Sequence, residues 1–205
     1  MGIYAERILP CCINRFMDAP DFERLRKRAL RRAYGRVLEL GFGSGLNLPF
    51  YPSAVESVTA VDPALLGRRL AADRIAACSF PVTFTDLAAH KAGSRIEAPD
   101  GSFDTVVTTW TLCTVPDAVQ ALRELRRVLK RDGLYLFVEH GRAPTGGVAF
   151  FQDVLTPIQK WIAGGCHLNR RIDTLIAGCF RFERLHRFYI PGPRVGTYMY
   201  LGEAR

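Results

Sequence analysis

The chain has 205 residues, 48% of them hydrophobic and 23% charged, which suffices for one substantial core and excludes a disordered or fibrous chain. No apolar run approaches the roughly 20 residues that cross a bilayer, and the opening "MGIYAERILPCCINRFM" carries Glu6 and Arg7 ahead of a short apolar run, unlike a secretory signal. The net charge of +8 favours an anionic partner without choosing among acidic lipid, nucleic acid and a small anion. Six cysteines, Cys11, Cys12, Cys78, Cys113, Cys166 and Cys179, form no C-x-x-C pair and suit neither a zinc site nor a disulfide framework, so a reduced cytoplasmic setting and no metal are expected.

In chain order, "DFERLRKRALRRAYGR" predicts a helix with Phe22, Leu25, Ala29 and Ala33 on one side. Arg24, Arg26, Lys27, Arg28, Arg31, Arg32 and Arg36 stand against Glu23, either as a solvated face or as a contact for an acidic membrane surface. "GRVLEL" reads as a first buried strand and "SVTAVD" as a second, followed by one helix over "ALLGRRLAADRIAA". "PVTFTD" is a short third strand and "SFDTVVTTW" a fourth. The helix "DAVQALRELRRVLKRDG" runs to a stop at Gly133, ahead of a fifth strand, "GLYLFVEH". "VAFFQDVLTPIQKWIAGG" has helical spacing, with Pro157 expected to kink or split it. "FRFERLHRFYI" and "GTYMYLGEA" predict two closing antiparallel strands. Apolar strands alternating with amphipathic helices predict an α/β fold, a parallel sheet with helices on both faces.

"ELGFGSG" sets Gly41, Gly43 and Gly45 at the end of the first strand, where ligands of open α/β sheets bind and where glycine lets backbone turn or approach a ligand. The plain alternative is a tight strand-to-helix turn. Asp62 ends the second strand, placed to accept hydrogen bonds from the hydroxyls of a ribose. Asp86 follows the third strand and, with Leu87, would hold an adenine, or else simply caps a turn. Leu46 stands where a dinucleotide fingerprint needs glycine, which weakens NAD or FAD.

These features resemble the class I S-adenosylmethionine-dependent methyltransferases. The carriers are "VLELGFGSG", "VTAVDP", "SFDTVVTTWTLCTVPD" and "LRRVLKRDGLYLFVEHG". A closer likeness, to the methyltransferase-like seven group of thiol S-methyltransferases, rests on "GLNLPFYP", "TLCTVPD", "FVEHGRAP" and "GGCHLNRRI". The resemblance implies a Rossmann-like, seven-stranded, mostly parallel sheet with a C-terminal antiparallel hairpin. It also implies S-adenosyl-L-methionine as cofactor. Animal members carry an N-terminal hydrophobic anchor, which this sequence lacks, so integral membrane attachment is not expected.

The expected organisation is a single domain over 1–205, with a helical lid over 1–35 and a helical cap over 142–175 above the acceptor. The cofactor set comprises Tyr4 on the lid, Glu39, Gly41, Gly43, Gly45, Asn47, Asp62, Pro63, Asp86, Leu87, Thr109 and Trp110. His140 ends the fifth strand as a candidate general base or acceptor orienter, with Arg142 as a cation that favours a thiolate. Cys113, Phe151, Trp161, Asn169 and Arg170 are assigned to the acceptor, with Phe150, Phe151 and Trp161 as an apolar cap. Cys113, Trp110 and the aromatics could equally be core. The expected activity is methylation of a small thiol or sulfide. The alternatives are a lipid or quinone acceptor, or a non-catalytic nucleoside-binding module. The expected location is the cytoplasm, with peripheral contact at the inner membrane surface, and no nucleic-acid partner is expected.

Overall fold

The computed structural model describes residues 9–63, 65–85, 87–90 and 93–205. Tyr4 and Asp86 lie outside these residues. Two helices, α1 (Leu9–Met17) and α2 (Pro20–Leu30), precede β1 (Gly35–Leu40) and β2 (Val55–Val61). The expected helix after β2 is two short ones, α3 (Leu65–Leu70) and α4 (Ala72–Ala76), broken at Ala71. Ala71 is wholly buried at that break, and its side chain lies so near Gly45 that a Cβ added there would come within 3.1 Å of it. After β3 (Val82–Thr85) a small hairpin forms from β4 (Leu87–His90) and β5 (Gly93–Ile96), apart from the main sheet. Leu87, expected to touch an adenine, starts that hairpin.

The chain then runs through β6 (Phe103–Thr109), α5 (Ala118–Val128), β7 (Leu129–His140), α6 (Gly146–Ile162), α7 (Ile172–Ala177), β8 (Phe182–Tyr189) and β9 (Tyr198–Ala204). The Asp117 carboxylate caps α5 by accepting from the Gln120 N–H at 2.9 Å. That helix ends at Val128, short of the expected stop at Gly133, because Leu129 already pairs with Phe103 as strand. Pro157 sits inside α6 without splitting it.

The seven-stranded sheet has the order β3-β2-β1-β6-β7-β9-β8. Strands β3, β2, β1, β6 and β7 pair in parallel, and β9 pairs antiparallel with both β7 and β8. Alternation along each strand sorts side chains between two layers. Leu38, Val106, Tyr135 and Phe137 meet Leu122 and Leu125 of α5 and Ile172 and Ile176 of α7. On the other face Val37, Val107, Leu134 and Leu136 cluster with Leu30 of α2 and with Ala33.

The basic helix α2 is less free than its composition suggests. Phe22, Leu25 and Ala29 are buried as expected, but so is Arg26, which donates to the Met17 carbonyl at 2.7 Å. Arg31 and Arg32 pair with Glu203, and Arg32 also with Glu183. More than half of the cations assigned to an acidic surface are thus engaged within the fold, since Arg24 pairs with Asp21 as well.

Candidate functional site

The chain leaves β1 outward to β2 and β3, then returns to β6 on the other side of β1. The carboxyl ends of β1 and β6 are therefore the topological switch point, where open α/β sheets bind ligands. Leu40 pairs with Val61 and with Thr108, so the loops after β1, β2 and β6 emerge at one edge.

The first of these loops carries the glycines. Gly41, Gly43 and Gly45 all have positive φ, at 79°, 56° and 73°. Only Gly43 faces open space, where an added Cβ would meet nothing within 4 Å; at Gly41 such a carbon would fall within the Thr111 side chain, and at Gly45 it would press on Ala71, Leu48 and Phe42. Two of the three glycines thus serve the protein's own close packing, and one leaves room for a ligand. The Gly43 N–H donates to Asp62 Oδ2 at 2.7 Å, which ties the loop to the end of β2. Pro63 beside it is exposed.

Glu39, expected to meet the cofactor, is 1% exposed, and both its oxygens are used beneath the loop. Asn47 Nδ2 donates to Oε1 at 2.8 Å and the Tyr51 hydroxyl to Oε2 at 2.7 Å. Burial pushes the Glu39 carboxyl up to about 7, although Tyr51, Asn47 and nearby Arg26 all oppose the shift. Asn47 Nδ2 also donates to Thr109 Oγ1 at 3.0 Å, joining the ends of β1 and β6.

Trp110 is the one described non-glycine residue at positive φ, 49°, a backbone state that clusters at ligand sites. Its ring meets Phe22 edge-on at 5.3 Å and lies under the Arg26 guanidinium at 4.9 Å. Among the described residues, Trp110 Nε1 and Asn47 Oδ1 are buried without a hydrogen-bond partner. Buried polar atoms are normally satisfied. Asn47 follows the glycine loop and Trp110 follows β6, so the two unpartnered atoms belong to segments that meet at the switch point. Helix α1 lies against this loop: Ser44 Oγ donates to Asn14 Oδ1 at 2.5 Å, and Arg74 bridges the Ser44 carbonyl and Asp18.

The loop after β6 is held from β7. Glu139, wholly buried, accepts the backbone N–H groups of Thr111 and Leu112, each at 3.1 Å. Burial pushes its carboxyl up to about 7 against those bonds. Arg170, expected to meet an acceptor, instead donates to the carbonyls of Leu112, Val115 and Pro116 and clamps the same loop. Arg142 is likewise spoken for: it grips Asp153 with two bonds of 2.6 and 2.9 Å. Asn169 shares that carboxylate at 2.9 Å and lines an open groove with Pro157, Lys160 and His167.

His140 comes to the carboxyl edge as expected. Its Nε2, however, faces Cys166 Sγ at 2.9 Å, and its buried Nδ1 has no partner among the described residues. Nε2 is thus taken up by a thiol and Nδ1 is enclosed, so His140 stands inside a side-chain cluster rather than alone at the edge. Cys113, expected beside the acceptor, is buried in the same cluster.

The apolar cap is a correction. Phe151 is 56% and Trp161 84% exposed, and Phe150 is exposed with them. Helix α6 turns Ala149, Gln152 and Thr156 inward, with Gln152 bonded to the backbone of Gly141, Ala143 and Val195, so its helical pitch sends the large side chains outward.

Glu139, Tyr51 and Arg26 hold the site although none was expected as a site residue; Tyr51 and Glu139 stand inside "GLNLPFYP" and "FVEHGRAP". The available signal was Glu139 inside the apolar run "YLFVEH", since a buried carboxylate must find donors.

Residues 38–137 match the profile of a family described as "Methyltransferase domain". Thiol S-methyltransferase TMT1B of Homo sapiens is 34% identical over 176 residues, covering 82% of this chain and 69% of its own length. Thiol S-methyltransferase TMT1B of Rattus norvegicus is 39% identical over 140 residues, covering 65% of this chain. The chain thus spans 54% of the rat relative's length and 69% of the human one's. Phosphatidylethanolamine N-methyltransferase of Cereibacter sphaeroides is 29% identical over 70% of this chain and 68% of its own length. Among solved structures, a SAM-dependent methyltransferase of Thermotoga maritima superposes with a TM-score of 0.65 at 17% identity, covering 98% of each chain.

Proposed function

Because the chain belongs to the S-adenosylmethionine-dependent methyltransferase family, we propose that its acceptor is a small thiol, methylated on sulfur. The enzyme class and the cofactor follow from the family. The thiol rests on one observation, the identity of 34 to 39% with thiol S-methyltransferases.

The residues at the switch point fit the cofactor: an open Gly43, the acidic end of β2 and two buried polar atoms without partners. When bound, S-adenosylmethionine supplies an electrophilic methyl group whose leaving thioether is neutral. Asp62 would take the ribose hydroxyls, and Asn47 and Trp110 would offer an acceptor and a donor beside the glycine loop. Glu39 and Tyr51 keep Asn47 in place. Glu139 and Arg170 fix the loop after β6, so that an acceptor meets a set geometry. Orientation of this kind can contribute roughly 7–11 kcal/mol to lowering a bimolecular barrier. A thiol must reach the site as thiolate to attack.

A lipid amine is the second reading. It is favoured by the resemblance to the phosphatidylethanolamine enzyme and by the exposed row Phe150, Phe151, Val154, Ile158 and Trp161 on α6. A transfer screen with labelled cofactor, offering alkyl thiols, sulfide, quinols and phosphatidylethanolamine vesicles, tests both. Label on thiols is the expected outcome. Label on lipid or quinol with none on any thiol overturns the thiol acceptor.

A further inference from the structure

Cys113, His140 and Cys166 come from three segments: the loop after β6, the last residue of β7, and the loop between α6 and α7. Their ligand atoms lie within 4.8 Å of one another, and both thiols are free and buried. We propose that these three side chains bind one zinc ion, with the fourth coordination position taken by the sulfur of the acceptor.

Tetrahedral zinc, with Zn–S near 2.3 Å and Zn–N near 2.0–2.1 Å, separates its ligand atoms by about 3.6–3.8 Å. His140 Nε2 and Cys166 Sγ stand at 2.9 Å, so the cluster reaches that geometry through shifts of about 1 Å or less. On binding the ion, Cys113 and Cys166 each release a proton to water, and the two thiolates with a neutral imidazole balance its charge, which offsets the penalty of burying it. Thiolate with imidazole is also the donor set that selects zinc over magnesium, calcium or manganese.

The supports around the ligands are built for rigidity. The His167 N–H donates to the Cys113 carbonyl at 2.8 Å, which locks the segment carrying Cys166 to the one carrying Cys113. Arg170 holds the carbonyls on either side of Cys113. The Arg142 N–H donates to the Arg170 carbonyl at 2.8 Å, and the Gly141 Cα lies so close to that carbonyl that a side chain would strike it. This ties the end of β7, with His140, to the same unit. Ligands held this way need little reorganisation to receive an ion.

Zinc held by three protein ligands keeps its fourth position for a small molecule, as reactive rather than structural zinc sites do. A thiol entering that position binds as thiolate, its S–H proton passing to water as a Zn–S bond forms. This step rests on the thiol reading above.

The test uses the full chain, purified under reducing conditions. About one zinc per chain is expected by elemental analysis, removable by chelator and restored by zinc alone. Cys113→Ser, Cys166→Ser and His140→Ala should each lower that content, with far-UV dichroism verifying the fold. Cobalt substituted into chelated wild-type protein should give thiolate-to-cobalt absorption, and 2-mercaptoethanol added without any cofactor should change it. Absence of zinc and cobalt binding by the folded, reduced chain overturns the site, as does full metal retention by the folded Cys166→Ser variant. A Cys113–Cys166 disulfide in place of metal overturns it too. A cobalt spectrum blind to thiol overturns acceptor ligation and leaves the methyltransferase intact. Zinc-loaded protein that methylates lipid but no thiol sinks the acceptor reading, with the metal content standing apart.

Discussion

Glu39 and Glu139 are both buried, both pushed up to about 7 by burial, and each secures a loop at the switch point. They do so by different means. Glu39 holds the glycine loop through side chains, Asn47 and Tyr51. Glu139 holds the loop after β6 through backbone, the N–H groups of Thr111 and Leu112. A side-chain amide can rotate to suit a new partner, whereas two converging backbone donors cannot. The glycine loop is therefore adjustable at its anchor and constrained by its glycines, whereas the loop after β6 is fixed at its anchor and clamped again by Arg170.

The strongest way to break the first loop is at a glycine, and Gly41→Ala should have the largest effect. Its Cβ would enter the Thr111 side chain at a φ of 79°. Overpacking of about 1–3 kcal/mol adds to about 1–2 kcal/mol for the left-handed backbone, so a loss of about 3 kcal/mol is expected in urea denaturation. Gly43→Ala meets open space and should lose only about 1–2 kcal/mol from its backbone. Equal losses at the two positions would contradict the division of labour between these glycines.

On the second loop, Glu139→Gln offers one acceptor oxygen to two backbone donors and leaves one of them unsatisfied, at about 1–3 kcal/mol. Thermal unfolding should show it. A neutral result would mean that the loop is held elsewhere.

Asp62→Ala comes next. It removes the Gly43 tie and, on the reading above, the ribose contacts. Charge-assisted bonds of about 1.5–3 kcal/mol correspond to roughly 10- to 150-fold weaker S-adenosylmethionine binding by calorimetry. Unchanged affinity would move the ribose elsewhere.

Glu39→Gln should be mildest, under about 1 kcal/mol near neutral pH, because Asn47 can turn its unpartnered Oδ1 toward the new amide. It also sharpens the comparison through pH. The folded carboxyl of Glu39 titrates above its ordinary value, so folding takes up a proton there. Its stabilising contribution is full below the ordinary carboxylate range and is lost as pH rises through about 7. The melting temperature of the native chain relative to Glu39→Gln should thus fall between about pH 5 and about pH 8. A flat difference would show that Glu39 stays ionised throughout.

The apolar runs, the turn residues and the alternation of periods were enough to read the strands β1, β2, β3, β6 and β7 and the closing antiparallel pair, because each is a local pattern within a short run of sequence. "ELGFGSG" and the acid at the end of β2 marked the loops at the switch point for the same reason: their spacing is short-range. Pairing across the sheet decided what periodicity could not. The end of α5 yielded four residues to β7 because Leu129 found Phe103, and the helix after β2 broke where Ala71 packs on Gly45.

The residues expected at an acceptor could be picked out one by one but not as a constellation. Arg142, Arg170 and Asn169 look like substrate ligands in the chain and prove to be bound to Asp153 or to backbone carbonyls. Phe151 and Trp161 look like a cap and face outward. Cys113, His140 and Cys166 show no ligand spacing, because three segments far apart in sequence bring them together. Short-range patterns declare themselves in a sequence, since the backbone's own geometry imposes their period. A site assembled by packing has no period, and only the tertiary structure, in which strand order and loop anchors set who meets whom, could decide it.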